Sequence, residues 1–256
     1  MSKTAPITGA TSGIGAAYGK RLASEGYNLI LTVRRPEIIQ TLADDLTKQF
    51  NIRVEVIIAE LTDDFDIQKV VNAIKSTENL EILINNAGYM EPYLLFTEKD
   101  PVESEQMMKV LVTVPIRLIY AVIPEMNKNG LGVIINVASQ AAFLPNKKSA
   151  VYAACKAFLK SFSESLHLEV KNKGIKIQVV CPGPTDTDIW RSLPEVKVHM
   201  SHYKLMSPET LVDYSLKDLE KNHVVCIPGI HDKFFQARAK FLPRSWVYRM
   251  VDKSVA

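Results

Sequence analysis

The eight residues Thr8-Gly9-Ala10-Thr11-Ser12-Gly13-Ile14-Gly15 restrict what this 256-residue chain can fold into more than any other stretch. They follow a short apolar run and lead directly into helical periodicity. Glycines at a strand-to-helix junction allow a tight turn and let backbone amides come close to a pyrophosphate. The helix start beyond them offers N–H groups without intrahelical partners and the positive end of its dipole. The spacing is GxxxGxG, not GxGxxG, and three glycines alone also describe a sharp connection. Pro6, inside the preceding strand, argues against a central strand there, because proline gives no N–H to a ladder.

The rest of the chain supplies the context. Asn28–Val33, Ile52–Ala59, Leu80–Asn85, Gly132–Ala138 and Ile175–Cys181 are short and β-branched, as strands buried on both faces are. Between them Ile14–Glu25, Pro36–Phe50, Phe65–Thr77, Glu103–Asn127 and Ala150–Asn172 carry a helical period, with Pro36 opening one helix and Gly174 following another. This alternation predicts an α/β fold, a Rossmann-type doubly wound parallel sheet with helices on both faces, built as one domain over residues 1–256. An apolar content of 47% sustains such a core. Residues Asp186 to His223 show the least regular pattern and are expected beyond a strand's carboxyl end, where such folds bind ligands.

Several classes are excluded. Cys155, Cys181 and Cys226 are odd in number and widely spaced, and His167, His202, His223 and His231 lack paired metal-ligand spacing, so neither a disulfide framework nor a metal site is expected. A net charge of +3 implies no nucleic-acid partner. No run of 18 apolar residues suggests a membrane span. Met1-Ser2-Lys3-Thr4 runs at once into the first strand, leaving no room for a signal peptide, and a cytoplasmic location is the default expectation.

The end of the second strand distinguishes the dinucleotides. An acid there suits the ribose hydroxyls of NAD, whereas arginine suits a 2′-phosphate. Thr32-Val33-Arg34-Arg35 has no acid and two guanidiniums, which favours NADP(H).

Tyr152 and Lys156 stand four apart on a helix and so share a face. A free phenol, with a pKa of about 10, is a poor proton carrier at neutral pH. A neighbouring ammonium is expected to lower it. Ser139, at the end of the fifth strand, could hydrogen-bond a substrate carbonyl. A Tyr-x-x-x-Lys pair alone is commonplace; its force comes from the glycine motif, the strand order and Ser139 together.

Taken together, Thr8–Gly15, Asn85-Asn86-Ala87-Gly88, Ser139, Tyr152-Ala153-Ala154-Cys155-Lys156 and Pro182-Gly183-Pro184-Thr185-Asp186-Thr187 resemble the classical short-chain dehydrogenase/reductase family from about Lys3 to Ile227. The resemblance implies that Tyr152 exchanges a proton with the substrate oxygen, Lys156 holds the nicotinamide ribose and tunes Tyr152, and Ser139 steadies the substrate. It implies a cofactor site formed by Thr8, Gly9, Thr11, Ser12, Gly13, Ile14, Gly15, Arg34, Arg35, Glu60, Leu61, Asn86, Ala87, Gly88, Tyr152, Lys156, Pro182, Gly183, Thr185 and Thr187. It also implies a homodimer or homotetramer formed through the two long helices.

There are departures from the family pattern. Leu111 falls where the family carries an asparagine that holds a water behind the lysine, and leucine has no polar group to do so. Glu60 replaces an aspartate near the adenine, and Cys155 replaces a serine. The expected function is reduction of a ketone or 3-ketoacyl carbonyl with NADP(H), Tyr152 giving the proton. The alternative is a dinucleotide-binding regulatory or scaffold protein with weak turnover. After Gly229, six Lys/Arg against two Asp are interleaved with Phe234, Phe235, Phe241, Trp246 and Tyr248, which fits a helix packed on the domain or a membrane-surface contact.

Overall fold

Short β-branched runs form seven strands of one parallel sheet among the described residues, the inner strands buried on both faces. The computed structural model describes residues 3–34, 36–191, 205–239 and 241–253. The strands are β1 (Thr4–Thr8), β2 (Asn28–Val33), β3 (Val54–Ile58), β4 (Ile82–Asn85), β5 (Gly132–Val137), β6 (Ile175–Val180) and β7 (Val225–Cys226). They lie in the order β3-β2-β1-β4-β5-β6-β7, which reverses between β1 and β4 and opens a crevice at the carboxyl ends of those strands.

The period of two in each strand divides the core. On one face Leu29, Leu31, Val33, Ile84 and Ile135 meet α1 (Gly13–Ser24), α2 (Pro36–Phe50) and a helix the sequence reading did not contain, Pro208–Glu220. On the other, Ile30, Leu83, Ile134 and Ile177 meet α3 (Asp64–Lys75), α5 (Val114–Asn129) and α6 (Ala150–Val170). The signal for Pro208–Glu220 was present: Pro208 occupies its first turn, and Ser207 caps it by accepting from the Thr210 amide. With α4 (Pro101–Met108) and the short α7 (Asp188–Arg191) counted, this helix is α8.

The long helix expected over Glu103–Asn127 is interrupted. Asp100 caps α4, a π-helical turn spans Lys109–Thr113, and α5 continues to a left-handed Gly130. By length and composition Pro101–Asn129 could cross a bilayer, but half of its most apolar window is buried in the fold. Its outer side carries Lys109 and Arg117, each 2.7 Å from an Asp64 carboxylate oxygen. It is a core helix.

Pro6 does lie in a central strand. Thr4 donates to the Asn79 carbonyl and accepts from the Glu81 amide, whereas Gly9 donates to Thr32 of β2. Even-numbered residues of β1 therefore face β4, and Pro6 turns its missing donor that way. The Ile7↔Ile84 register sets the Ile82 carbonyl opposite it, while the Glu81 carbonyl points the other way and accepts from Val133 of β5 at 2.7 Å. The proline cannot donate there, and the β1–β4 register reduces to the single pair Ile7↔Ile84.

The basic, aromatic stretch after Gly229 forms α9 (Ile230–Ala239) and α10 (Arg244–Lys253). Buried Gln236 and Val247 hold them to the body, as does the Lys147–Asp252 pair, while Ile230, Phe234, Phe241 and Trp246 are exposed.

Candidate active site

The glycine motif folds into a cradle that side chains would fill. Gly9 and Gly13 have φ of +68° and +56°, the left-handed region that glycine enters freely. A Cβ on Gly9 would stand 2.8 Å from the Ala87 Cα, and one on Gly15 would fall on the Gly9 carbonyl oxygen. A Cβ on Gly13 would meet the Thr187 methyl at 2.9 Å. Thr187, far along the chain, thus lies over the start of α1.

That helix start is shaped for an anion. Ser12 is its N-cap residue but makes no capping bond, and the first turn holds no acidic residue. By contrast, Asp63 and Asp100 cap α3 and α4. A phosphate fits the orphan N–H groups of α1, whose side chains leave them open.

Thr8 and Asn86 hold the two loops of the crevice together. The Thr8 hydroxyl accepts from the amides of Asn86 and Ala87, each at 3.0 Å. The Asn86 amide donates to the carbonyls of Thr8 at 3.0 Å and Gly9 at 2.9 Å. Ile14 packs partly on the core and Leu61 is buried in it, so their side chains serve the fold beneath the cradle.

Arg34 ends β2 with its side chain 69% exposed and 3.8 Å from the Glu60 carboxylate after β3. The expectation of no acid beside the arginines holds along β2 but not in space, because parallel pairing brings the ends of β2 and β3 together. An exposed pair at this separation is weak, and a 2′-phosphate with its greater charge would displace it. Arg35, like residues 192–204 of the expected substrate pocket, lies outside the described residues.

At the other end of the crevice Ser139, Tyr152 and Lys156 come together. The Ser139 hydroxyl lies beside Tyr152 and opposes the rise of its pKa, and its Oγ accepts from the Ala141 amide at 3.1 Å. Lys156 is 5% exposed, donates to the Val137 carbonyl at 2.8 Å, and places its Nζ 5.6 Å from the Tyr152 ring centre. The expected lowering of the tyrosine is not what this protein shows. Burial pushes Tyr152 up to about 12 against the opposing influence of the Ser139 hydroxyl. The same burial pulls Lys156 down to about 8. Desolvation is the largest cause of the shift in both groups. Cys155 is buried with its thiol also pushed up, chiefly by burial, and is inert packing.

Leu111, in the π-helical turn, is 1% exposed and packs with Met107, Cys155 and Tyr152. A Cβ on Gly88 would meet its Cδ2 at 2.8 Å and lie 3.8 Å from Lys156 Nζ. An apolar side chain therefore occupies the space behind the lysine. Beyond Gly183, Thr185 is buried and its hydroxyl donates to the Gly183 carbonyl at 3.0 Å, while the Pro182 carbonyl accepts from the Gln140 amide at 2.9 Å.

Two buried polar groups escaped the sequence reading. Asn85 Nδ2 donates to Asn136 Oδ1 at 2.9 Å and Asn136 Nδ2 to Ser163 Oγ at 2.8 Å, tying β4, β5 and α6 together. In the loop after β4, Lys99 lies 2.5 Å from Glu91, their side chains 4% and 1% exposed, and Ser104 donates to the second Glu91 oxygen at 2.6 Å. Removing one member of such a pair strands a buried charge. Lys99→Met should lower unfolding stability by about 3–5 kcal/mol in denaturant titrations; a loss under 1 kcal/mol would show that water reaches the pair.

Comparison with known proteins follows this geometry. A family profile described as short chain dehydrogenase matches residues 3–197. The chain is similar to the very-long-chain 3-oxoacyl-CoA reductase of Anas platyrhynchos, 33% identical over 214 residues, covering 81% of this chain and 66% of that protein. It is also similar to the inactive hydroxysteroid dehydrogenase-like protein 1 of Homo sapiens, 28% identical over 216 residues, covering 84% and 65%. The chain thus spans just under two thirds of the length of these relatives. Among solved structures it is similar to a short-chain dehydrogenase from Sphingobium yanoikuyae in complex with NADPH, with a TM-score of 0.83 and 31% identity over 94% of this chain and 96% of that one.

Proposed function

The chain belongs to the short-chain dehydrogenase family, and we propose that it is an NADP(H)-dependent oxidoreductase that reduces a ketone or 3-ketoacyl carbonyl to the alcohol, with Tyr152 as proton donor. The observation that carries this reading is the convergence of Ser139, Tyr152 and the buried Lys156, whose Nζ lies 5.6 Å from the Tyr152 ring centre, at the far end of the glycine cradle. The NADPH-bound Sphingobium relative supports the cofactor, and the 3-oxoacyl-CoA reductase supports the substrate class.

A bound nicotinamide supplies the hydride. The chain's own groups handle the oxygen. Ser139 and Tyr152 offer hydroxyl donors to a carbonyl, and burial keeps the phenol protonated until the oxygen takes the proton. Lys156, held by the Val137 carbonyl and still charged below about pH 8, stabilises the phenolate left behind. Gly9, Gly13, Gly15 and the start of α1 would receive the pyrophosphate, Thr187 would cover it, and Arg34 would hold the 2′-phosphate. Exposed Met108, Tyr120, Phe158 and Leu168 on α4, α5 and α6 support a homodimer or homotetramer contact there.

Leu111 favours a second reading, a dinucleotide-binding regulatory or scaffold protein with weak turnover, and the human relative described as inactive points the same way. A broad carbonyl panel with NADPH consumption as readout, beside a direct NADPH binding titration, separates the two. Turnover supports the enzyme; binding without turnover on any carbonyl supports the regulator. The cofactor assignment has its own test. Arg34→Leu should weaken NADPH binding roughly ten- to hundredfold, the strength of a charge-assisted contact, and change NADH binding little. Equal losses for both cofactors would remove Arg34 from the 2′-phosphate.

A further inference from the structure

We propose that Gln140 and Asp232 form a subsite for a hydroxyl group on the substrate, so that the enzyme selects hydroxylated carbonyl compounds over their deoxy counterparts. The proposal rests on the oxidoreductase reading and specifies the substrate class of that site.

The geometry comes from Gly183. A Cβ placed there would stand 2.5 Å from Asp232 Oδ2 and 2.7 Å from Gln140 Nε2, so both groups converge on the face of the Pro182-Gly183 turn. They lie no more than about 5 Å apart, close enough for one oxygen to hydrogen-bond both. Gln140 Nε2 is buried with no hydrogen-bond partner among the described residues, a state that costs free energy unless something fills it. On α9, Gln236 stands one turn beyond Asp232 on the same face; it is 3% exposed, and its Oε1 is likewise unpartnered among the described residues.

The position suits a substrate. Gln140 directly follows Ser139, which lies beside Tyr152, and its backbone amide is anchored to the Pro182 carbonyl at 2.9 Å. The pair therefore sits one residue from the group that receives the reacting oxygen, and Asp232 reaches it from α9.

The chemistry then narrows the choice. One group is a carboxylate that only accepts; the other is an amide nitrogen that only donates. A hydroxyl answers both at once, donating to Asp232 and accepting from Gln140. An ammonium gives Gln140 no acceptor, a carboxylate is repelled by Asp232, and a hydrocarbon leaves both groups unmet.

The test uses matched ketones that differ by one hydroxyl at varied distance from the carbonyl, such as cyclohexanone and its hydroxy derivatives, with the full-length protein and NADPH. In the wild type at least one hydroxyketone should exceed its deoxy partner in kcat/KM by roughly ten- to hundredfold, the range of a charge-assisted hydrogen bond. Asp232→Ala and Gln140→Leu should each bring that ratio toward one. Asp232→Asn keeps the side-chain shape and guards against misfolding, and it should lower the ratio less than Asp232→Ala. A wild-type ratio near one across the series, or a ratio unchanged in Asp232→Ala, overturns the proposal and shows a site filled by water alone. If no carbonyl is turned over, the oxidoreductase reading fails separately. The subsite is then read by thermal-shift titration of the same pairs into the NADPH complex: preferential binding of the hydroxylated member, lost in Asp232→Ala, supports it, and equal binding overturns it.

Discussion

Tyr152→Phe should reduce carbonyl turnover by roughly a hundredfold to ten-thousandfold, the usual contribution of a positioned general acid, while NADPH is still bound. The substitution removes one oxygen from a half-buried ring and leaves Ser139, Lys156 and the glycine cradle in place. Stopped-flow or steady-state NADPH oxidation measures the loss, and a fluorescence titration measures the binding. Unchanged turnover would sink the assignment of the proton donor. The wild-type pH profile adds a second readout. Because burial holds Tyr152 near 12, the phenol itself keeps its proton through the neutral range. Lys156, pulled down to about 8, loses its charge above that pH, and with it the stabilisation of the phenolate. The kcat/KM for reduction should therefore be level below pH 8 and fall above it. A profile level to pH 10 would remove Lys156 from that role.

Gly15→Ala should abolish measurable NADPH binding and lower the thermal midpoint by several degrees. The added methyl falls on the Gly9 carbonyl oxygen and stands 2.5 Å from the Asn86 amide that bonds that same carbonyl. One of the two loops has to move, at a cost of about 1–3 kcal/mol for a packed position. In a chain of this size that corresponds to roughly 2–12 °C. Gly26→Ala is the control. Its φ is +79°, but nothing lies within 4 Å of an added Cβ, so it carries backbone strain without touching the cradle. It should lower stability by about 1–2 kcal/mol and leave NADPH binding intact. If the two variants lost the cofactor equally, general destabilisation and not the shape of the cradle would be the cause.

The parts of this protein that were legible in its sequence are those where local chemistry decides the structure. The alternation of β-branched runs with helical periods marked the sheet, and Thr8–Gly15 marked the place where its order reverses. Tyr152 and Lys156 were readable because a helix places residues four apart on one face. What could not be read depends on pairings across long sequence distances. Glu91 and Lys99 look like solvated loop charges until α4 folds over them and supplies Ser104. Pro6 looks like a strand breaker, yet the sheet absorbs it by shortening the β1–β4 register to one pair. The direction of the Tyr152 shift depends on how deeply the ring is buried, which no spacing reveals. The same holds for Asp232, which nothing in its own neighbourhood connects with Gln140.

The placement of Asp232 also sets the order in which the protein becomes competent as it is made. Ser139, Tyr152, Lys156 and Gly183 leave the ribosome well before α9, and a nascent chain synthesised at about 5–20 residues per second passes some seconds in that state. During that interval the reacting groups exist without the wall that Asp232 and Gln236 complete. A chain stalled before residue 230 would leave the Gln140 side chain and the Gly183 turn without the groups that α9 brings over them.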